Sequence, residues 1–504
     1  MSVIRRNRLQ AFLALWALGF LAFGAFTPRL GFYSDDWPLL ETMAKGGRLG
    51  ALGAWVREGS LWTRPFDMIQ YSLFYFVGGA EPFAQHFLLF MLGLLEASLL
   101  FRLFDRLLKN RSLAWTAAAL AYLYPNRAVF HVWFANTPQS TAHVLALASM
   151  LSHLRWLADR RPAWLASSLS LFLLALLSYE SVLFLPLILM VAIMTDTRDP
   201  RTAVRAAVAA CAPYSIPVIL AMAWQWLGVR WLLGRANPKS QGLSLGLSHV
   251  LKAYGAGFEC VTNRTVHLCF KTFQSMRDWP RPQLASCLAA LVFVGAIVWG
   301  LRQSEKAGLR EIRRALFLAA SAFFAGYAPY ALSGSYTPQI FGVMSRTNAI
   351  GAWAGGLLIA ALLALSPANL RSVLTTLVLS IFFCGDFATD LDWQRAWQSE
   401  QEILARLAGA ARELPPGSSV ALAGAPHFQG YAVVFDSTYD FDAALRSAAG
   451  RADLKGYVVP PERNDSYRYD FSLDEWRPPT SGGKPGPAPP SDQRTHLKPG
   501  TFVP

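Results

Sequence analysis

The stretch LQAFLALWALGFLAFGAFTPRLGFYSDDW, residues 9–37, joins an apolar run of bilayer-spanning length to two adjacent acids. From Leu9 to Phe26 the run carries no charge, and Arg5, Arg6 and Arg8 precede it. No small-residue cleavage site follows, so it reads as a retained first span with a cytoplasmic N-terminus. Asp35 and Asp36 then stand at the outer mouth of that span. Neighbouring carboxylates raise one another's pKa, and such a pair beside a bilayer marks a candidate functional site. The blander alternative is a solvated pair that caps the next helix.

The rest of the chain fits a membrane setting. It has 504 residues, 53% of them hydrophobic and 15% charged, with a mean hydropathy of +0.29. Apolar runs of membrane length recur through most of it, which predicts an all-α polytopic membrane protein. A net charge of +14 would suggest nucleic acid in a soluble chain. Here the basic residues sit in short loops between apolar runs, so the pattern is positive-inside, with membrane lipid and no nucleic acid as partner.

After the first span, the segment FDMIQYSLFYFVGG is short and reads as interfacial or re-entrant. A span from about Pro82 to Phe104 ends in Arg102, Arg106, Lys109 and Arg111. A short span to Tyr124, an outer segment YPNRAVFHVWFANTPQS and an inward span from Thr141 to Leu154 follow. Pro162 to Thr195 is too long for one straight helix and is basic at both flanks, so it predicts two short spans turning at Ser178-Tyr179-Glu180-Ser181. Further spans are expected at Ala206–Leu227, Leu284–Leu301, Ala315–Tyr330, Ala349–Leu365 and Ser372–Cys384, with a long polar loop from about Gly228 to Pro282. The total is about eleven, leaving the C-terminus periplasmic. From Asp386 the composition turns polar. Trp393–Leu414 predicts a helix, LPPGSSVALAG and YAVVF short strands, and FDAALRSAAG another helix. This divides the chain into a transmembrane domain (1–385), a small outer α/β module (386–477) and a Pro/Gly-rich disordered tail (478–504). Cys260 and Cys269 share one polar loop and can pair if it faces an oxidising compartment; spacing alone leaves this open.

This topology gathers polar groups on one outer face: Asp35, Asp36, Arg64, Arg127, His131, Glu180 and Arg346. Carboxylates can deprotonate an acceptor hydroxyl, and arginines can hold an anionic phosphate. Each arginine taken alone is as readily a snorkelling anchor. The span centres read as nearly free of charge, and Glu96, the exception, reads as an interhelical hydrogen-bonding residue.

In this order the motifs resemble a known family. FYSDDW after the first span, WTRPF, YLYPNRAVFHVWFAN and LLALLSYESVLFLPLIL are similar to the outer-face motifs of GT-C superfamily membrane glycosyltransferases, which include protein O-mannosyltransferases and lipid A aminoarabinose transferases. The resemblance covers roughly Met1 to Ser366, with Tyr179 where a Lys is common. It implies an inverting transfer of a sugar from a polyprenyl-phosphate donor to an envelope glycan, lipid or protein, at the periplasmic face of a bacterial inner membrane. It further implies that Asp35 or Asp36 is the base, Asp36 slightly favoured. Arg64, Arg127 and Arg346 would be donor-phosphate ligands, and Glu180, His131 and Tyr179 supporting residues. The second acid would position the acceptor or hold Mg²⁺ or Mn²⁺. A lipid-linked glycan ligase and a transporter or flippase are the competing classes.

Overall fold

A computed structural model describes residues 2–197, 199–233, 246–301, 306–333, 336–458, 467–470 and 475–477. The chain forms two compact units, one of residues 1–31 and 42–394, the other of residues 32–41 and 395–504.

The first unit is helical. Among the described residues, seven helical stretches are long and apolar enough to cross a membrane: Arg8–Arg29, Pro82–Leu108, Pro200–Leu232, Arg281–Gly300, Leu309–Leu332, Gly342–Ala364 and Leu370–Glu413. The other four expected spans are also helices, Arg111–Tyr122, Thr137–Asp159, Pro162–Ser178 and Pro186–Asp196, but each is too short or too polar to meet that measure. The expected turn is present, with Glu180–Val182 as one 3₁₀ turn between the two short helices. Alanine and glycine let helices approach closely in the core. A Cβ added at Gly356 would lie 2.6 Å from the Ala117 carbonyl oxygen and 2.7 Å from the Ala121 nitrogen.

Two readings are corrected. The region expected as a long polar loop holds the helices Leu247–Val261 and Asn263–Ser275. Their buried positions, Ala253, Gly257, Cys260 and Val261, then Leu268, Cys269 and Thr272, recur at helical spacing. Cys260 and Cys269 are buried there as free thiols. The expected boundary at residue 386 falls inside one 46-residue helix, Ala368–Glu413. That helix changes from apolar to polar without a break, so composition shifts before the fold does.

The second unit is a small α/β module. Strands β1 (Ser419–Ala423), β2 (Phe428–Gln429), β3 (Ala432–Val433), β4 (Lys455–Val458), β5 (Tyr467–Asp470) and β6 (Glu475–Arg477) make a four-stranded sheet of order β4-β1-β5-β6 and a β2-β3 hairpin. Strand β1 pairs parallel with both β4 and β5, and β5 pairs antiparallel with β6. The helix Thr438–Ala449 opens on a capping box formed by Ser437 and Asp440 and closes on Gly450 at φ +66°. The tail from Pro478 lies outside the described residues.

Candidate active site

The acidic motif belongs to the second unit, where Phe32–Glu41 joins the α/β module. Ser34 precedes the acids at φ +48°, a left-handed conformation uncommon outside glycine. It aims the two side chains differently. Asp36 is fully buried, and its Oδ2 accepts a hydrogen bond from the Tyr33 backbone nitrogen at 3.0 Å. Asp35 stays partly exposed. The buried acid is spent on holding the turn, and the open acid is the one with room to meet a substrate.

Three further carboxylates, none singled out in the sequence, surround the pair. The Ser34 hydroxyl hydrogen-bonds the Asp436 carboxylate, and Asp35 is among the charges acting on Asp436. Glu400 is fully buried; its Oε2 accepts from Trp37 Nε1 at 3.1 Å, and among the described residues its Oε1 has no hydrogen-bond partner. Asp440 accepts from the backbone nitrogens of Asp436, Ser437 and Phe441 at 3.2, 3.2 and 2.7 Å. Burial pushes the Asp436 and Asp440 carboxyls above the ordinary carboxylate range, and the charge of one acts further on the other. The two therefore titrate as a pair that retains a proton where an isolated acid would have lost it. Beside them the Trp37 and Trp397 rings stack 6.1 Å apart, with Phe32 edge-on to both. Arg446 closes the cluster by a two-pronged contact to Glu41, at 3.0 and 2.7 Å, and a second ion pair to Asp442. A partly exposed carboxylate in this setting can take a proton from a hydroxyl. The signals were a Ser-x-x-Asp cap at Ser437–Asp440 and a Trp-x-x-Glu pair at Trp397–Glu400, both of which read as ordinary helix surface.

The remaining expected residues lie in the first unit, in two neighbourhoods. Arg64 donates from Nε to Glu180 Oε2 at 3.0 Å and lies 4.1 Å over the Tyr179 ring. Tyr179, Glu180 and Arg346 all act electrostatically on Tyr330. Gln139 reaches both the Tyr330 hydroxyl, at 3.4 Å, and the Arg346 carbonyl, at 3.1 Å. Arg346 also lies over the rings of Trp133 and Tyr336. Arg64, Tyr179, Glu180 and Arg346 thus share one polar patch.

Arg127 is placed differently. It is 1% exposed and its Nη2 pairs with Glu96 Oε2 at 2.9 Å, while His143 Nδ1 sits 3.3 Å from the other Glu96 oxygen. This is a core ion pair, apart from the patch that holds Arg64 and Arg346. His131 stacks on Phe23 with ring centres 3.6 Å apart and is equally buried. Asp386 and Asp390, just past the last expected span, are buried on the long helix, and among the described residues neither Asp390 oxygen has a hydrogen-bond partner. As to a metal at the acidic pair, no three His, Cys, Asp or Glu side chains among the described residues converge in a metal-holding group. Asp36 Oδ2 already accepts the Tyr33 N–H, and Asp35 is the carboxylate of the pair that stays partly exposed.

Fold and site together define a polytopic helical membrane protein with an acidic, tryptophan-lined cluster on a small α/β module. No family model matches the chain, and no curated protein matches it. Solved structures similar to it include ArnT from Cupriavidus metallidurans bound to undecaprenyl phosphate, at 12% identity over 90% of this chain and 86% of that one with a TM-score of 0.33, and the same protein in the apo state, at 12% identity over 90% and 85% with a TM-score of 0.34. At that level of superposition the likeness assigns no activity.

Proposed function

We propose that this chain is a membrane glycosyltransferase that moves a sugar from a polyprenyl-phosphate donor to a hydroxyl acceptor of the bacterial envelope. The observation that carries the reading is the setting of the FYSDDW motif: a partly exposed Asp35 backed by the buried Asp36, Glu400 and Asp440 and the half-buried Asp436. Asp35 acts as general base and Asp36 fixes the turn that presents it. In-line attack on the donor's anomeric carbon inverts its configuration, the acceptor proton passes to Asp35, and the lipid phosphate leaves. Arg64 and Arg346 serve as donor-phosphate ligands, since a guanidinium matches phosphate geometry. Tyr179 and Glu180 hold Arg64 in place. The N-terminus is cytoplasmic and the acidic cluster periplasmic, as the loop charges indicate. The acceptor is a glycolipid, polysaccharide or protein.

One observation favours a second reading. A buried ionisable group inside a span, here Glu96, is also a mark of proton-coupled transport. One experiment separates the two. Purified protein is given a radiolabelled polyprenyl-phosphate sugar and envelope extract, with Asp35→Asn and Asp36→Asn in parallel. Transfer by the parent and a loss of about a hundredfold or more in Asp35→Asn support the transferase. Absence of transfer from every donor, or two variants equal to the parent, moves the transport reading ahead.

A further inference from the structure

At the end of the helical unit where the loops are basic, a concavity of about 380 Å³ is lined by Arg8, Asp105, Arg106, Lys109 and Arg111. We propose that it binds the phosphate headgroup of an anionic phospholipid. Four cations face one carboxylate there. The cations come from three helices and are brought together by the backbone, not by the chance reach of long side chains. Arg8 lies on the first helix, Arg106 in the last turn of Pro82–Leu108, and Arg111 opens the next helix. The link between the latter two is only Lys109 and Asn110. Lys109 adopts φ +59° to turn the chain, and the Asn110 side chain caps the new helix at Leu113 N, 2.9 Å away.

The charges inside the concavity are poorly matched. Asp105 contacts Arg8 at 3.3 Å and Arg111 at a loose 3.9 Å. Lys109 lies 3.2 Å from Asp196, but Asp196 also serves Arg314 and, at 3.7 Å, Arg310. Among the described residues Arg106 forms no ion pair and is exposed. Snorkelling anchors spread along an interface one by one. Here they converge on a single hollow, leaving an excess of positive charge that a phosphate oxyanion would neutralise. Next to Arg8 the first helix exposes Leu9 and Leu13, 59% and 57% accessible, a surface suited to acyl chains. That combination favours a lipid over a soluble phosphate.

The test uses the full chain in a neutral detergent. Thermal midpoint and lipid adducts by native mass spectrometry are recorded with phosphatidylglycerol, with phosphatidylcholine and with inorganic phosphate. The expected result is a raised midpoint and a retained adduct with phosphatidylglycerol alone. Each of Arg8→Gln and Arg106→Gln should weaken binding about fivefold, and Arg106→Lys should keep most of it. Equal protection by phosphatidylcholine, undiminished binding in the double Arg8→Gln/Arg106→Gln variant, or equal protection by inorganic phosphate would each overturn the proposal, the last by assigning the hollow to a soluble anion.

Discussion

Asp35 and Asp36 differ by one position and by nearly everything that decides a carboxylate's work. Asp36 is buried and bonded to the Tyr33 nitrogen, so Asp36→Asn should disturb the turn and lower the thermal midpoint. Asp35→Asn should leave the midpoint unchanged and lower transfer about 10²–10⁴-fold. A variant pair with equal losses in both measurements would contradict this division. The acids behind them make a second expectation, on pH. A carboxyl whose pKa is raised in the folded state favours folding below its unfolded value, about 3.9 for Asp, and that contribution is lost as the pH rises through the raised value. Asp436 and Asp440 are both raised, first by burial. Their part of the thermal midpoint should therefore fall as the pH climbs above about 4. Asp436→Asn mimics the protonated form and should flatten that dependence while keeping activity. An unchanged slope in the variant would remove the proton from the pair. In the membrane unit, Glu96→Gln strands the Arg127 charge and should cost about 3–5 kcal/mol, whereas Glu96→Gln with Arg127→Met should recover most of it.

Helices were legible in the sequence wherever apolar length alone decided them, and less so wherever a helix was polar. The two-helix reading of Pro162–Thr195 rested on charge at both flanks, and the turn falls at the expected residues. Leu247–Val261 and Asn263–Ser275 escaped notice because Lys, His, Glu and Arg interrupt them. Their helical spacing of small and apolar residues was present but was outweighed by polarity. Ala368–Glu413 hid its continuity by changing partners midway, and that concealed Glu400, a buried acid in a stretch resembling solvated surface. The acidic motif itself was legible because two carboxylates together need a reason, whereas Asp436 and Asp440 matter only through a fold that brings them to it. The contact between Ala349–Ala364 and Arg111–Tyr122 gives the element-scale expectation. Gly356→Ala would press a methyl group onto backbone atoms of the other helix and should cost about 1–3 kcal/mol. At Gly295 the nearest atom, Thr376 Cγ2, is 3.8 Å from an added Cβ, so Gly295→Ala should be neutral or slightly stabilising. Equal thermal midpoints for the two variants would show that the close approach is not what holds this pair of helices.

For the molecule as a whole, the notable fact is that the α/β unit is built from two pieces of chain separated by more than three hundred residues. The ten residues that carry the acidic motif have too little apolar surface to fold by themselves. They are fixed by what the later piece offers them: Glu400 for the Trp37 indole, Trp397 for its ring, Asp436 for Ser34 and Arg446 for Glu41. The proposed base is thus positioned by residues near the end of the chain, so activity should be sensitive to changes far from Asp35 in sequence. The Glu41–Arg446 pair is the cleanest probe, since both side chains are only about one-fifth exposed and the contact is two-pronged. Glu41→Gln and Arg446→Gln should each lower transfer and the unfolding midpoint. The double variant should lose less than the sum, with a coupling of about 1 kcal/mol. Arg446 also holds Asp442, so its single variant should be the worse of the two. Strictly additive losses would mean that the two pieces are tied elsewhere and that Glu41 reports only on its own helix.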